Sequence, residues 1–409
     1  LAGRAVVKNA PLAKTTIVDI NDDTHQDIVS CGTGSASACD VQYGTGTGNF
    51  SSALPASPSG SPGNYVGRQI RGVAAADLDG DGSVDLVGVS RMQGRVVVFF
   101  RQPASSATTR VALTGGGRPR VVAVGDVDGD GRPDLVVANE LSKDVSLFLN
   151  LGERQFGAPL TVPLPPNGVP TAMALGDLNG DGKLDAVVTQ NGTLASNVVL
   201  LLNAGGGTFT ASTLQAGFGT RDVELADLNE DGMLDIVVAN SSDDTVSLLL
   251  STPDNGYQRT DMSSGGLQPS AVAIADMNGD GHLDLVIVNK RMVSDDKEGS
   301  VAVFLNDGTG GFPEPSSVHV RGREVPSAVC TGDFDGDGIT DAAVSGGPTN
   351  DILVLRGLGN GMWRRDERTF PTVRGARSLA CADVDGDGKT DVVFSVRRGG
   401  DIDVLSTAP

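Results

Sequence analysis

The sequence predicts an all-β chain folded as an eight-bladed β-propeller of four-stranded blades. Three observations lead there. One nine-residue pattern, Asp-x-Asp/Asn-x-Asp-Gly-x-x-Asp, recurs eight times, starting at Asp19, Asp77, Asp126, Asp177, Asp227, Asp276, Asp333 and Asp383. Successive starts lie 58, 49, 51, 50, 49, 57 and 50 residues apart, a period that builds propellers, solenoids or arrays. Between the copies run short apolar segments and Gly-rich turns, with no sustained 3.6-residue periodicity.

The third repeat shows how each blade is built. Residues 120–125 form its first strand, the acidic loop follows, and residues 134–138, 144–150 and 159–164 form the other three. Strand two opens with an apolar pair such as Leu135-Val136 or Ile236-Val237. Strand three runs into Leu-Asn, a Gly-rich turn and Phe, as in Leu202-Asn203 to Phe209 and Leu305-Asn306 to Phe312. Four strands in a repeat of this length match one blade. Blades are expected at about 13–67, 68–116, 117–168, 169–218, 219–267, 268–324, 325–374 and 375–409. The last repeat stops after its third strand. The apolar segment 4–8 can supply the fourth, closing the array and removing an exposed edge. Seven blades with one degenerate repeat is the alternative. Insertions fall at 32–68 and 290–300.

The loop pattern suits a hard cation. Alternate residues can aim carboxylates at one centre, glycine at position six permits a sharp turn, and Ca²⁺ takes six to eight oxygens. The candidate ligands are Asp19, Asn21, Asp23 and Asp27 in copy one, and Asp77, Asp79, Asp81 and Asp85 in copy two. Copy three offers Asp126, Asp128, Asp130 and Asp134; copy four offers Asp177, Asn179, Asp181 and Asp185. Copy five offers Asp227, Asn229, Asp231 and Asp235; copy six offers Asp276, Asn278, Asp280 and Asp284. Copies seven and eight offer Asp333, Asp335, Asp337, Asp341 and Asp383, Asp385, Asp387, Asp391. Position seven would lend a backbone carbonyl from His25, Ser83, Arg132, Lys183, Met233, His282, Ile339 and Lys389, whose side chains share no chemistry. Position two is always apolar, from Ile20 to Val384, and should face a core. An EF-hand is excluded: position twelve is Val137 in copy three and Gly88 in copy two, where that motif needs Glu. Up to eight Ca²⁺ are expected. Copy one, with Asn21 and with Thr24 in place of the turn glycine, should be the weakest site or empty.

The formal charge of −20 is largely a property of these loops, which hold 28 of the 51 acidic side chains. Eight divalent ions would bring it to about −4. Without them, carboxylates a few ångströms apart repel one another and should destabilise the chain. No basic surface for nucleic acid and no apolar run of membrane-spanning length is present. Residues 1–12 do not read as a signal peptide, so a processed or engineered start is expected. Cys31 and Cys39 can form a local disulfide. Cys330 and Cys381 occupy corresponding strands of adjacent repeats and either face one another or point apart. Four reduced, buried thiols are the other reading. The even count and the calcium loops favour an extracellular, cell-surface or periplasmic location.

Six residues before each motif stand Ala13, Arg71, Arg120, Thr171, Arg221, Ser270, Ser327 and Arg377, at the far end of strand one. Arg71, Arg120, Arg221 and Arg377 would either form a ring for an acidic glycan or protein side chain, or pair with neighbouring acids. Catalysis finds little support. His25 and His282 sit at the variable position of metal loops, and no Ser-His-Asp or zinc spacing appears. Trp363, Tyr43, Tyr65 and Tyr257 are the aromatic candidates for sugar stacking, although lone aromatics are more often packed.

The acidic loop together with the downstream Leu-Asn-x-Gly-x-Gly-x-Phe resembles the FG-GAP/VCBS repeat family, which includes the propellers of integrin α subunits. The resemblance spans nearly the whole chain. It implies Ca²⁺ in the turn between the first two strands of a blade. Integrin-like propellers usually have seven blades with metal in only some, and this chain departs on both counts. Family members include adhesion modules, lectins and domains attached to polysaccharide-cleaving enzymes. The resulting expectation is a monomeric, non-catalytic scaffold that binds a glycan or an extracellular protein. A polysaccharide-acting, lyase-like enzyme or its accessory domain is the alternative.

Overall fold

The computed structural model describes residues 15–18, 27–31, 39–44, 50–52, 70–82, 84–91, 93–102, 105–192, 196–291, 298–313, 315–320, 326–345, 351–364, 368–371, 376–383, 388–396 and 402–405. Among them there is no helix, and the strands form a run of antiparallel sheets in chain order. Seven of these sheets have four strands, and the last has three. Segment 4–8, expected to complete that last sheet, lies outside the described residues, as do most of residues 32–68.

Each sheet is a meander in which sequence order equals spatial order. In the third, Pro119–Gly125 pairs with Asp134–Asn139, which pairs with Asp144–Phe148, which pairs with Leu160–Pro163. A small hairpin, Asn150–Gly152 with Gln155–Phe156, carries the Gly-rich turn out beyond the third strand. The second strands are buried along their length: Asp85–Ser90, Asp134–Asn139 and Asp235–Asn240 have no exposed residue. Burial on both faces explains their unbroken apolar sequence.

The core lies between sheets. Alternation along a strand sends neighbours to opposite faces. Val121 and Ala123 therefore pack with Met173 and Leu175 of the fourth sheet, while Val122 and Val124 pack with Val87 and Val89 of the second. The same interleaving joins the fourth and fifth, fifth and sixth, sixth and seventh, and seventh and eighth sheets. Position two of each described loop enters this core; Leu78, Val127, Leu178, Leu228, Met277 and Phe334 are buried. Small residues let the sheets close up. A Cβ on Gly176 would lie 2.6 Å from Leu234 Cδ1 of the next sheet.

First strands of consecutive sheets lie against one another, and the strand Thr15–Val18 contacts both Ile70–Ala76 and Ala376–Ala382. The first strands of the seventh and eighth sheets are also joined covalently. Cys330 and Cys381 form a disulfide with Cα atoms 5.8 Å apart, which resolves the open choice between facing and divergent thiols. Cys31 and Cys39 are directly opposite in strand register.

Candidate metal loops and the opposite cationic end

Each acidic loop is organised by its own first aspartate. One carboxylate oxygen accepts the position-four N–H at 2.7 Å in loops two, three, four, six and seven. The other accepts the N–H of the position-six glycine, at 2.8 Å for Gly131 and 3.0 Å for Gly82. Both turn positions need left-handed backbone: φ is 82° at Gly129 and 87° at Gly131. Position six was anticipated. The matching demand at position four, met by Gly in most copies and by Glu230 at φ 59° in the fifth, was readable as a second recurrent glycine. The position-five carboxylate accepts the N–H of position seven, at 2.9 Å for Arg132 and 2.8 Å for Met233.

Position nine serves the scaffold as well as the loop. Asp85, Asp134, Asp185, Asp235, Asp284, Asp341 and Asp391 are buried. In Asp185, one oxygen accepts the N–H of Leu178 at 2.9 Å and the other that of Asn203 at 2.7 Å. The same two bonds recur at Asp134, Asp235, Asp284 and Asp341. Burial outweighs these donors and pushes the Asp134, Asp185 and Asp341 carboxyls up to about 6.

The Asn ending the third strand is the functional residue whose role sequence reasoning missed. Its backbone N–H holds position nine of its own loop, and its side chain reaches the preceding repeat. Asn150 Nδ2 donates to the Leu78 carbonyl at 2.6 Å, Asn203 to Val127 at 2.6 Å, and Asn306 to Leu228 at 2.7 Å. Each recipient is position two of the previous loop. Loops two, three and four are thus joined in sequence and loop five is joined to six, while Ser251 and Gly357 replace the Asn in the fifth and seventh repeats. The recurrent Leu-Asn was visible, but its acceptor lies more than 70 residues away.

Three carboxylate groups can hold a metal ion: Asp77, Asp79 and Asp85; Asp126, Asp128 and Asp134; and Asp333, Asp335 and Asp341. Within each group, one ligand oxygen per residue lies within 4.8 Å of the others. These are the described loops with Asp at position three and all four candidate side chains in place. The donors are oxygen only, the set a hard cation prefers. Their charge also draws in cations. Arg132 pairs with Asp130, Lys183 Nζ lies 2.7 Å from Asp181, and His282 Nδ1 lies 2.5 Å from Glu230 of the previous loop. Position-seven side chains therefore take part, beyond the carbonyl role expected of them. Asp19, Asn21, Asp23, His25, Ser83, Asp385 and Asp387 fall outside the described residues, and Asp27 is described by its backbone alone.

The opposite end of the first strands carries positive charge. Arg91 lies 2.5 Å and Arg120 3.9 Å from Glu140. Burial of Glu140 opposes ionisation, but these arginines and Arg118 hold its carboxyl below the usual range. Arg120 thus adopts the paired alternative. Arg221 differs: its neighbour is Lys290, half-buried, whose ammonium is depressed by burial and then by the Arg221 charge. Among the described residues neither has a carboxylate partner. The side chains of Arg71 and Arg377 lie outside the description, although both are on first strands. Trp363 is packed in the core between the sixth and seventh sheets, and Tyr257 donates to the Leu234 carbonyl at 3.3 Å.

The FG-GAP-like repeat matches six segments, residues 19–88, 77–137, 126–188, 227–287, 292–344 and 333–394. No curated protein sequence matches the chain. Among solved structures, a putative 6-phosphogluconolactonase from Bacteroides fragilis has a TM-score of 0.55 at 15% identity, over 88% of this chain and 99% of that one. An Agrocybe aegerita lectin that recognises non-reducing terminal N-acetylglucosamine has 0.54 at 20% identity, over 87% and 94%. A Bacillus licheniformis rhamnogalacturonan lyase has 0.50 at 13%, over 99% and 92%. Similarity at these identities is similarity of fold; a lectin and enzymes share it, so the fold selects no activity.

Proposed function

The chain belongs to the FG-GAP-like repeat family, and from that premise we propose an eight-bladed, calcium-binding propeller that works as a monomeric binding scaffold and not as a catalyst. Its ligand is an acidic glycan or an acidic face of an extracellular protein, bound at the end of the first strands opposite the loops. One observation carries the ligand class. In a chain of net charge −20, Lys290 and Arg221 lie together on that end with no described carboxylate partner. Arginine there can take a carboxylate or sulfate in two parallel hydrogen bonds.

Contact of the Thr15–Val18 strand with the Ala376–Ala382 strand supports closure at eight blades. All-oxygen donor sets support calcium, and a bound divalent ion would neutralise carboxylates that otherwise repel. The Cys330–Cys381 bond supports an oxidising compartment.

The test is calorimetric titration with a sulfated polysaccharide, a uronate polysaccharide and neutral dextran, each with calcium and with chelator. Saturable binding of an acidic polymer, lost when Arg71, Arg120, Arg221 and Arg377 are changed together to Gln, is the expected result. Binding that survives the fourfold change removes the ligand site, and release of unsaturated sugar products would assign the lyase-like activity instead.

A further inference from the structure

Among the described loops, those with Asp at position three are loops two, three and seven. In two of them, an arginine meets that aspartate, and the arginine comes from a different place each time. In loop two it is Arg154, at the tip of the third sheet's outer hairpin. Its Nε lies 2.5 Å from Asp79, and a terminal nitrogen lies 3.5 Å from Asp81. The guanidinium is braced by Thr109 at 3.3 Å and by the buried Phe100 ring, whose centroid is 5.5 Å away. In loop seven it is Arg356, which pairs with Asp335 from the end of the same sheet's third strand.

Both arginines stand where other repeats use a residue that cannot bear charge. Position 154 has φ 63°, in the left-handed region, which is strained for a side chain with a Cβ. The equivalent residues in the next four repeats are Gly207, Asn255, Gly310 and Gly361, with φ between 61° and 76°. That position overhangs the preceding loop; a Cβ on Gly310 would lie 3.5 Å from Cβ of Asn229, position three of loop five. Arg356 replaces the leucine found at 149, 202, 250 and 305. Loops four, five and six, with uncharged Asn at position three, show no such arginine among the described contacts.

We propose that Arg154 and Arg356 are internal counter-cations that lower divalent-ion affinity at loops two and seven. Each cancels the charge that an Asp at position three adds, so carboxylate number alone does not rank the loops. Loop three carries its arginine at position seven, where Arg132 pairs with Asp130 and leaves Asp128 at position three without a guanidinium bonded to it. This rests on the reading that the loops bind calcium. A guanidinium that instead oriented the aspartate for the ion would have the opposite effect on affinity.

The experiment is calcium titration of the chelator-stripped full chain by calorimetry, comparing the parent with Arg154→Gly and with Arg356→Leu. Both changes install the residue that other repeats carry, and Arg154→Gly also relieves the backbone. Each should tighten one site by about tenfold or more. Adding Asp77→Ala to the first variant, or Asp333→Ala to the second, should abolish that gain. An unchanged or weakened isotherm in a parent that does bind calcium overturns the counter-cation role alone. Absence of calcium binding in the parent and in both variants overturns the calcium reading and this proposal with it.

Discussion

The two ends of the first strands follow different rules. At the loop end, the same aspartates, glycines and backbone bonds recur from repeat to repeat, down to a 2.7 Å contact from position four to position one. At the other end, equivalent positions carry Arg120 beside Glu140 in one place and Arg221 beside Lys290 in another. Repetition marks what every blade needs in order to fold and join its neighbour. Variation marks where the array of sheets has freedom to become specific. The loop end should therefore control stability, and the opposite end should control recognition.

Removing metal is the strongest challenge to that division. A site held at 100 times its dissociation constant adds about 2.7 kcal/mol, so three such sites would add about 8 kcal/mol. Thermal unfolding with EDTA should show a large loss relative to millimolar calcium. An unchanged melting temperature would make the loops simple turns. Next in size is Asp185→Ala, read by urea unfolding in chelator. It leaves the Leu178 and Asn203 N–H groups without their buried acceptor, at about 1–3 kcal/mol each. A loss below about 1 kcal/mol would remove the scaffold role of position nine.

Proton linkage separates the ends further. Burial raises Asp134, Asp185 and Asp341 to about 6. Asp222, buried between the fifth and sixth sheets and accepting the Val272 N–H at 3.0 Å, is pushed up to about 7 by that burial. A raised carboxyl binds its proton more tightly in the folded state. Its contribution is complete below the ordinary value of 3.8 and is lost as pH rises through the folded value. In chelator, stability should therefore rise as pH falls from about 7 towards about 4. In saturating calcium the loop contribution should flatten or reverse, because protons and the ion compete for the same oxygens. Asp222→Asn should remove the upper part of the slope in both conditions, as urea midpoints across that range will show. The smallest effect on stability belongs to the cationic end. Arg221→Gln with Lys290→Gln should shift unfolding by no more than about 0.5 kcal/mol while weakening retention of acidic polysaccharide; a large stability loss would mean that this end is structural too.

Local chemistry made much of the fold legible. Asp126 to Asp134 and the apolar pair Leu135-Val136 announced a turn between two strands, and Val127 announced a core residue, because each property is set within a few residues. The site was less legible wherever its partners are distant in sequence. Asn150 read only as the end of a strand, yet its side chain bonds the Leu78 carbonyl. Arg154 lies 75 residues from Asp79. The choice between a ring of arginines and pairing with a neighbouring acid stayed open for Arg120 until Glu140 and Arg91 were placed beside it.

By itself the sequence determined the repeat, the strand pattern and the acidic loops, because period, alternation and turn chemistry act over a few residues and are written into each copy. Only the tertiary structure decided that Cys330 meets Cys381, that Asn150, Asn203 and Asn306 each tie their repeat to the loop before it, and which arginines are neutralised. Those outcomes depend on how neighbouring sheets are brought together, and side chains from separate repeats interact only after that packing has formed.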